Sequence, residues 1–300
     1  MKLLPSCIRN TIKKVLAWNR ARKAKSIQAQ LQDIRNILTF NMPINKIPPA
    51  TGKLRLLQDG NTALLAHFAK KCNEYGIRYW LDYGTLLGAV RHKGFIPWDD
   101  DLDVGMMQSD YERLSNLLSI MFPAEEGFQH TRHAFIQISY TGTPLNIDVF
   151  PHLLHSKQDT PDNRTELAEA LKKVRKKVFF SDGQCNVTDT KLRNIIFEKI
   201  YKGESPLPEE ESPLVFVSPP AALEKDEFFA YEDIFPLTQI QFEGISFSAP
   251  HHTRQYLQII FGDYMTYPPK VGMWHQHLIN VVKRTPFEDK VNQFIDTYGC

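Results

Sequence analysis

Between residues 54 and 150 the spacing of apolar residues changes from helical to alternating and back several times, and this order limits the fold more than any other property of the chain. Leu57, Leu64, Leu65, Phe68 and Ala69 share one face of a helix predicted over 54–75, with Gly76 placed to end it. Residues 77–81 read as a strand, Gly84 breaks it, and 85–91 read as a short helix with Thr85 near its cap. Residues 101–104 alternate as a second strand, 108–121 return to helical spacing, and 137–140 and 145–150 are two further strands separated by the turn 141–144. Helices that bury one stripe and strands that bury one face satisfy both by layering. The expectation is therefore an α/β (α+β) domain, a mixed sheet flanked by helices.

The flanks differ in character. Residues 1–50 form a basic N-terminal segment and a linker: eight Lys or Arg and no acidic residue lie within residues 1–32, Leu4, Ile8, Ile12, Val15 and Leu16 recur at helical spacing, and 44–52 are rich in Pro. Such a helix lies on an anionic membrane surface, through residues 1–25, or docks its apolar stripe on the main domain. The core is expected over 51–151. Residues 152–230, with charged helices over 162–178 and 191–201, read as a helical insertion, and 231–300 resume the dense aromatic patterning of a packed domain.

Composition narrows the class of function. A net charge of +2 spread along 300 residues gives no nucleic-acid footprint. Cys7, Cys72, Cys185 and Cys300 are scattered, so neither a zinc site nor a disulfide framework is indicated. With no apolar run of about 20 residues and no signal-peptide pattern, the expected location is the cytoplasm or the inner face of a membrane.

Asp101 and Asp103, two apart in a predicted strand, project from one face while Leu102 and Val104 turn to the core. Carboxylates held side by side repel unless a cation sits between them, and an oxygen-only set suits Mg²⁺, or Mn²⁺, better than a thiolate-loving metal. Asp148 alternates with apolar neighbours in the same way and adds a third carboxylate from another strand. Gly84 and Thr85, between a strand and a helix, present amides and a hydroxyl where phosphate oxygens bind at helix N-termini. Arg91, His92 and Lys93 are further candidates for phosphate. A calcium loop over Asp99, Asp101, Asp103 and Asp110 fails at its sixth position, where Val104 replaces the turn glycine. Trp98 reads as core, His130 and His133 as ordinary polar residues, and Lys270, Trp274, His275 and His277 as a weak acceptor groove.

The stretch from Tyr79 through Gly84-Thr85, Arg91-His-Lys93 and Pro97-Trp98 to Asp99, Asp101, Asp103 and Met106 closely resembles the LicD family, which includes bacterial phosphocholine transferases and fukutin-type ribitol-phosphate transferases. Ile147-Asp-Val-Phe-Pro151, Asp233 to Pro236, Phe242-Glu-Gly244 and Phe261 to Met265 extend the resemblance, which covers about 55–151 and 231–270. Phe261 and His152 depart from the family pattern. The resemblance implies a nucleotidyltransferase-like fold that moves a phospho-alcohol, phosphocholine first among them, from a CDP-activated donor to a hydroxyl of a cell-surface glycan or glycolipid. It implies Asp101 and Asp103 as metal ligands, Asp99 as an additional ligand or orienter, Gly84-Thr85 as the donor phosphate loop, and Asp148 as the group that orients or deprotonates the hydroxyl or a further ligand. Two other readings stand beside it: a nucleotidyltransferase that moves a nucleoside monophosphate, and an inactive binding module of glycan assembly.

Overall fold

The computed structural model describes residues 41–132, 135–178, 194–211, 213–218, 227–267 and 286–299, together with part of 22–37. The chain divides into two compact units, Met1–Ile47 with Met265–Pro269, and Pro48–Tyr264 with Lys270–Cys300. In the first, the described positions between 22 and 37 are helical, a short 3-10 turn spans Ile44–Lys46, and the Tyr267 hydroxyl donates to the Met42 carbonyl at 2.7 Å. The remainder of the predicted basic helix lies outside the described residues. Among the described residues no helix is long and apolar enough to cross a membrane.

The second unit holds the sheet. Helix α1 (Gly52–Glu74) ends where Gly76 takes a φ of +61°, and it buries Leu57, Leu64, Leu65, Phe68 and Ala69 as its periodicity requires. Strand β1 (Trp80–Leu81), helix α2 (Tyr83–His92), strand β2 (Asp103–Met107) and helix α3 (Gln108–Met121) follow. Strands β3 (Phe128–Arg132), β4 (Ile136–Tyr140) and β5 (Asn146–Gln158) come next, then helix α4 (Pro161–Val178). Strands β6 (Pro213–Val217) and β7 (Phe228–Ala230) extend the sheet, whose order is β1-β2-β5-β4-β3 with β6 on β5 and β7 on β6. The β2–β5 pair is parallel and every other pair antiparallel, which makes the sheet mixed as expected. A separate hairpin of β8 (Thr238–Phe242) and β9 (Ile245–Ala249) turns through Glu243 and Gly244, both at positive φ as a tight primed turn demands. Helix α5 (Thr253–Phe261) and helix α6 (Glu288–Tyr298) complete the unit, α6 lying along α1.

Three expectations are corrected. The strand over 77–81 is reduced to Trp80–Leu81, because the Arg78 amide and guanidinium both turn to Asp110, at 3.2 and 2.8 Å, rather than to a ladder partner. The strand over 101–104 begins at Asp103, so Asp101 stands in the loop before it. Residues 152–230 are not a purely helical insertion. β5 runs on to Gln158, β6 and β7 join the main sheet, and α4 buries Leu167, Leu171 and Val174 against Leu153, Leu214 and Phe216 in a satellite core.

Candidate active site

The site is built on the first turn of α2. Asp82 caps the helix, its Oδ1 accepting the Tyr83 N–H at 2.8 Å, while its own amide donates to the Asp103 carbonyl at 3.0 Å. The Gly84 N–H donates to Asp103 Oδ2 at 3.0 Å, and the buried Thr85 hydroxyl accepts from the Asp103 amide at 2.8 Å. A Cβ at residue 84 would stand 2.9 Å from Asp99 Oδ2 and 3.3 Å from Asp103 Oδ2, so the two carboxylates close over a place only glycine leaves open. Gly84 and Thr85, expected to receive donor phosphate, are engaged on Asp103 itself.

Around that turn the carboxylates converge. Asp103 and Asp148 are direct partners in the parallel β2–β5 register, and Gln137 on β4 donates to Asp148 Oδ1 at 2.8 Å. Asp99, Asp100 and Asp101 each offer an oxygen, all within 4.8 Å of one another. Burial, and then the neighbouring charges led by Asp101, hold the Asp99 and Asp103 carboxyls well above the ordinary carboxylate range. Burial pushes Asp148 up to about 7, opposed by Gln137 and reinforced by Asp101. Such a cluster could hold a metal: the donors are all carboxylate oxygens, their mutual repulsion would be relieved by a cation, and a hard ion takes this set. Asp100 was absent from the expected ligands, although the run Asp99-Asp100-Asp101 carried the signal.

Behind the cluster lies a buried network that periodicity does not reveal. The Tyr256 hydroxyl on α5 donates to Asp82 Oδ1 at 2.9 Å and accepts from Trp80 Nε1 at 3.1 Å, with His152 Nε2 also at 3.1 Å. Burial raises Asp82 to about 7 and lowers His152 to about 3, so a neutral imidazole stands beside the cap. His152 is therefore part of the support of α2. Gly105, beneath this network, has no room for a side chain: a Cβ would lie 2.4 Å from Trp80 Nε1 and 2.8 Å from Asp82 Oδ2. Gly105→Ala is expected to cost about 2–3 kcal/mol by overpacking, and a drop of several degrees in Tm by calorimetry checks it.

Other expected residues lie apart. Arg91 and Lys93 stand at the opposite end of α2, about 10 and 13 Å along its axis from Gly84. The Arg91 guanidinium donates to the Tyr264 carbonyl, and Lys93 is the left-handed C-cap with an exposed side chain. The structure does not bring them to the carboxylates. Trp98 packs on the core as expected, and His130 sits half-buried on β3. His133, Lys270, Trp274, His275 and His277 lie outside the described residues.

Residues 76–191 match the family model described as LicD/FKTN/FKRP, nucleotidyltransferase domain. The lipopolysaccharide cholinephosphotransferase LicD of Haemophilus influenzae is 25% identical over 254 residues, 72% of this chain and 92% of that protein. The human ribitol 5-phosphate transferase FKRP is 36% identical over 83 residues, 25% of this chain and 17% of that protein. An uncharacterized protein of Rickettsia prowazekii, RP689, is 60% identical over 42 residues, 14% of this chain and 16% of that protein. The chain thus spans nearly all of the Haemophilus protein but less than a fifth of the other two.

Proposed function

We propose that this chain, which carries a LicD-family domain, transfers a phospho-alcohol, phosphocholine foremost, from a CDP-linked donor to a hydroxyl of a glycan or glycolipid. The observation that carries the reading is the convergence of Asp99, Asp101, Asp103 and Asp148, from a loop and two paired strands, at the N-terminus of α2. The near-complete span of the match to the Haemophilus cholinephosphotransferase favours phosphocholine over ribitol phosphate.

These four residues, with Asp100 beside them, would hold a divalent ion, Mg²⁺ or Mn²⁺, which would supply positive charge to stabilise the departing CMP. The chain's own residues do the rest. Gln137 fixes one oxygen of Asp148 and leaves the other to accept the proton of the acceptor hydroxyl. The hydroxyl oxygen then bonds to the phosphorus that bears the alcohol, the bond from that phosphorus to the CMP oxygen breaks, and the proton remains on Asp148. Thr85 and Gly84 keep Asp103 from rotating away.

The nucleotidyltransferase reading stays in view because the matching family model is itself described as a nucleotidyltransferase domain. One experiment separates the two. The protein is incubated with CDP-choline, CDP-ribitol, CDP-glycerol or CDP-ethanolamine, each labelled in the cytidine and in the alcohol, with candidate glycan acceptors. Alcohol label on the acceptor and release of CMP are expected. Cytidine label on the acceptor overturns the phospho-alcohol assignment, and turnover of no donor favours a binding module.

A further inference from the structure

Helix α1 contributes no carboxylate to the site, yet two of its fully buried polar side chains reach the loop that does. Gln58 and Asn61 are 1% and 0% exposed and lie one turn apart on the stripe that continues through Leu65 and Phe68. Gln58 Nε2 donates to the Asp99 carbonyl at 2.8 Å, and Asn61 Nδ2 donates to the Asp100 carbonyl at 2.6 Å. The other end of the Asn61 amide turns to a second segment: its Oδ1 accepts the N–H of Asn146, the first residue of β5, at 3.2 Å. Asp148 follows two residues later on that strand. One side chain therefore joins the loop that carries Asp99, Asp100 and Asp101 to the strand that carries Asp148.

We propose that Asn61, assisted by Gln58, is a positioning residue that sets the spacing between the loop carboxylates and Asp148 and so creates the affinity of the site for a divalent cation. The physical need is specific. Backbone bonds hold the loop at its two ends, the Asp99 N–H on the Ile96 carbonyl at 2.9 Å and the Asp148 N–H on the Leu102 carbonyl at 2.8 Å. The Asp99 and Asp100 carbonyls between them lean on Gln58 and Asn61, opposite carboxylates whose crowding pushes the loop outward. Amide donors on the backbone carbonyls oppose that push from the side away from the charges, adding no charge of their own. The carboxylates are then preorganised before the ion arrives, so less reorganisation opposes binding. Apolar replacement would leave the Asp100 carbonyl and the Asn146 amide without this partner and release the loop.

This inference rests on the metal-dependent reading above, and its test reads metal binding separately from turnover. Mn²⁺ alone is titrated into the intact chain, free ion being followed by electron paramagnetic resonance. Asn61→Leu is expected to raise the half-saturating Mn²⁺ concentration at least about tenfold, the lower end of the range seen when groups that orient metal ligands are removed, and Gln58→Met, which leaves the tie to β5 in place, by less, about threefold. Leu65→Ala, on the same stripe but touching no carbonyl of the loop, serves as the destabilised comparison. It is expected to lower Tm while leaving half-saturation within about twofold of the unaltered chain. High Mn²⁺ should restore much of the lost turnover in the Asn61 and Gln58 variants and none in Leu65→Ala. If Asn61→Leu fails to fold, Gln58→Met carries the test alone. Half-saturation in the amide variants equal to that of Leu65→Ala overturns the positioning role. If the unaltered chain binds no Mn²⁺ at all, the metal-dependent reading itself falls.

Discussion

Asp103→Asn is expected to lower transfer at least about 10³-fold, a loss of roughly 4 kcal/mol in transition-state stabilisation, while the fold is retained. Asp103 is the residue on which the site closes. It pairs with Asp148 across β2 and β5, receives the Gly84 N–H on its carboxylate, and is held through its backbone by Thr85 and Asp82. Asparagine preserves the shape and can still accept the Gly84 N–H, so the substitution removes charge and little else. Because the wild-type carboxyl is buried among like charges, its removal should also raise the Tm of the metal-free protein at pH 8. CMP release at saturating donor measures the first effect and calorimetry in EDTA the second. A variant within tenfold of wild type in turnover would remove Asp103 from the metal site. A fall in both Tm and turnover would instead assign it a purely structural part.

What the sequence made legible follows from the range of the interactions involved. Helix α3 falls where its spacing placed it, and α1 lies within a few residues, because an apolar stripe and a stop signal are local. The aspartates of the site are local too, since a carboxylate two residues from another is conspicuous in any strand. The strand β6 was hidden because its ladder partner, the second half of β5, carries His152, His155 and Lys157 and reads as polar, and β7 pairs in turn with β6. Asp82, His152 and Tyr256 meet across as many as 174 residues, and no spacing rule joins them. Gln58 and Asn61 did carry a signal: amides at positions that a 3.6-residue period assigns to the buried face, where a polar group must find a partner. Gly84 and Thr85 show the converse. Their motif was visible, but whether the amide and hydroxyl face a phosphate or a carboxylate depends on where Asp103 lands.

Without metal, the protein is expected to melt at progressively lower temperature as pH rises from 5 to 7, and divalent ion should counter that fall. Burial raises Asp148 and Asp82 from 3.8 to about 7, and it carries Asp99 and Asp103 upward as well. A carboxyl whose folded-state pKa is raised binds its proton more tightly in the folded chain than in the unfolded one. The stability it contributes is complete below pH 4, falls between there and the folded value, and changes no further above it. His152, lowered from 6.5 to about 3, acts in the opposite sense, but only up to its ordinary value. Below pH 6.5 it therefore offsets one of the four carboxyls and leaves the others to set the slope. Each titrating group changes stability by about 1.4 kcal/mol per pH unit, which for a chain of this size lowers Tm by about 5 °C or more over the window. Divalent ion must displace protons from Asp99, Asp103 and Asp148, so the increment in Tm on adding 5–10 mM Mg²⁺, on the order of a weak site's dissociation constant, should grow with pH. Melting curves in EDTA and in Mg²⁺ at pH 5 and 7 decide the matter. An increment equal at the two pH values would mean that the ion binds elsewhere than at these buried carboxyls, and a metal-free Tm that rises with pH would mean that they are not held protonated by the fold.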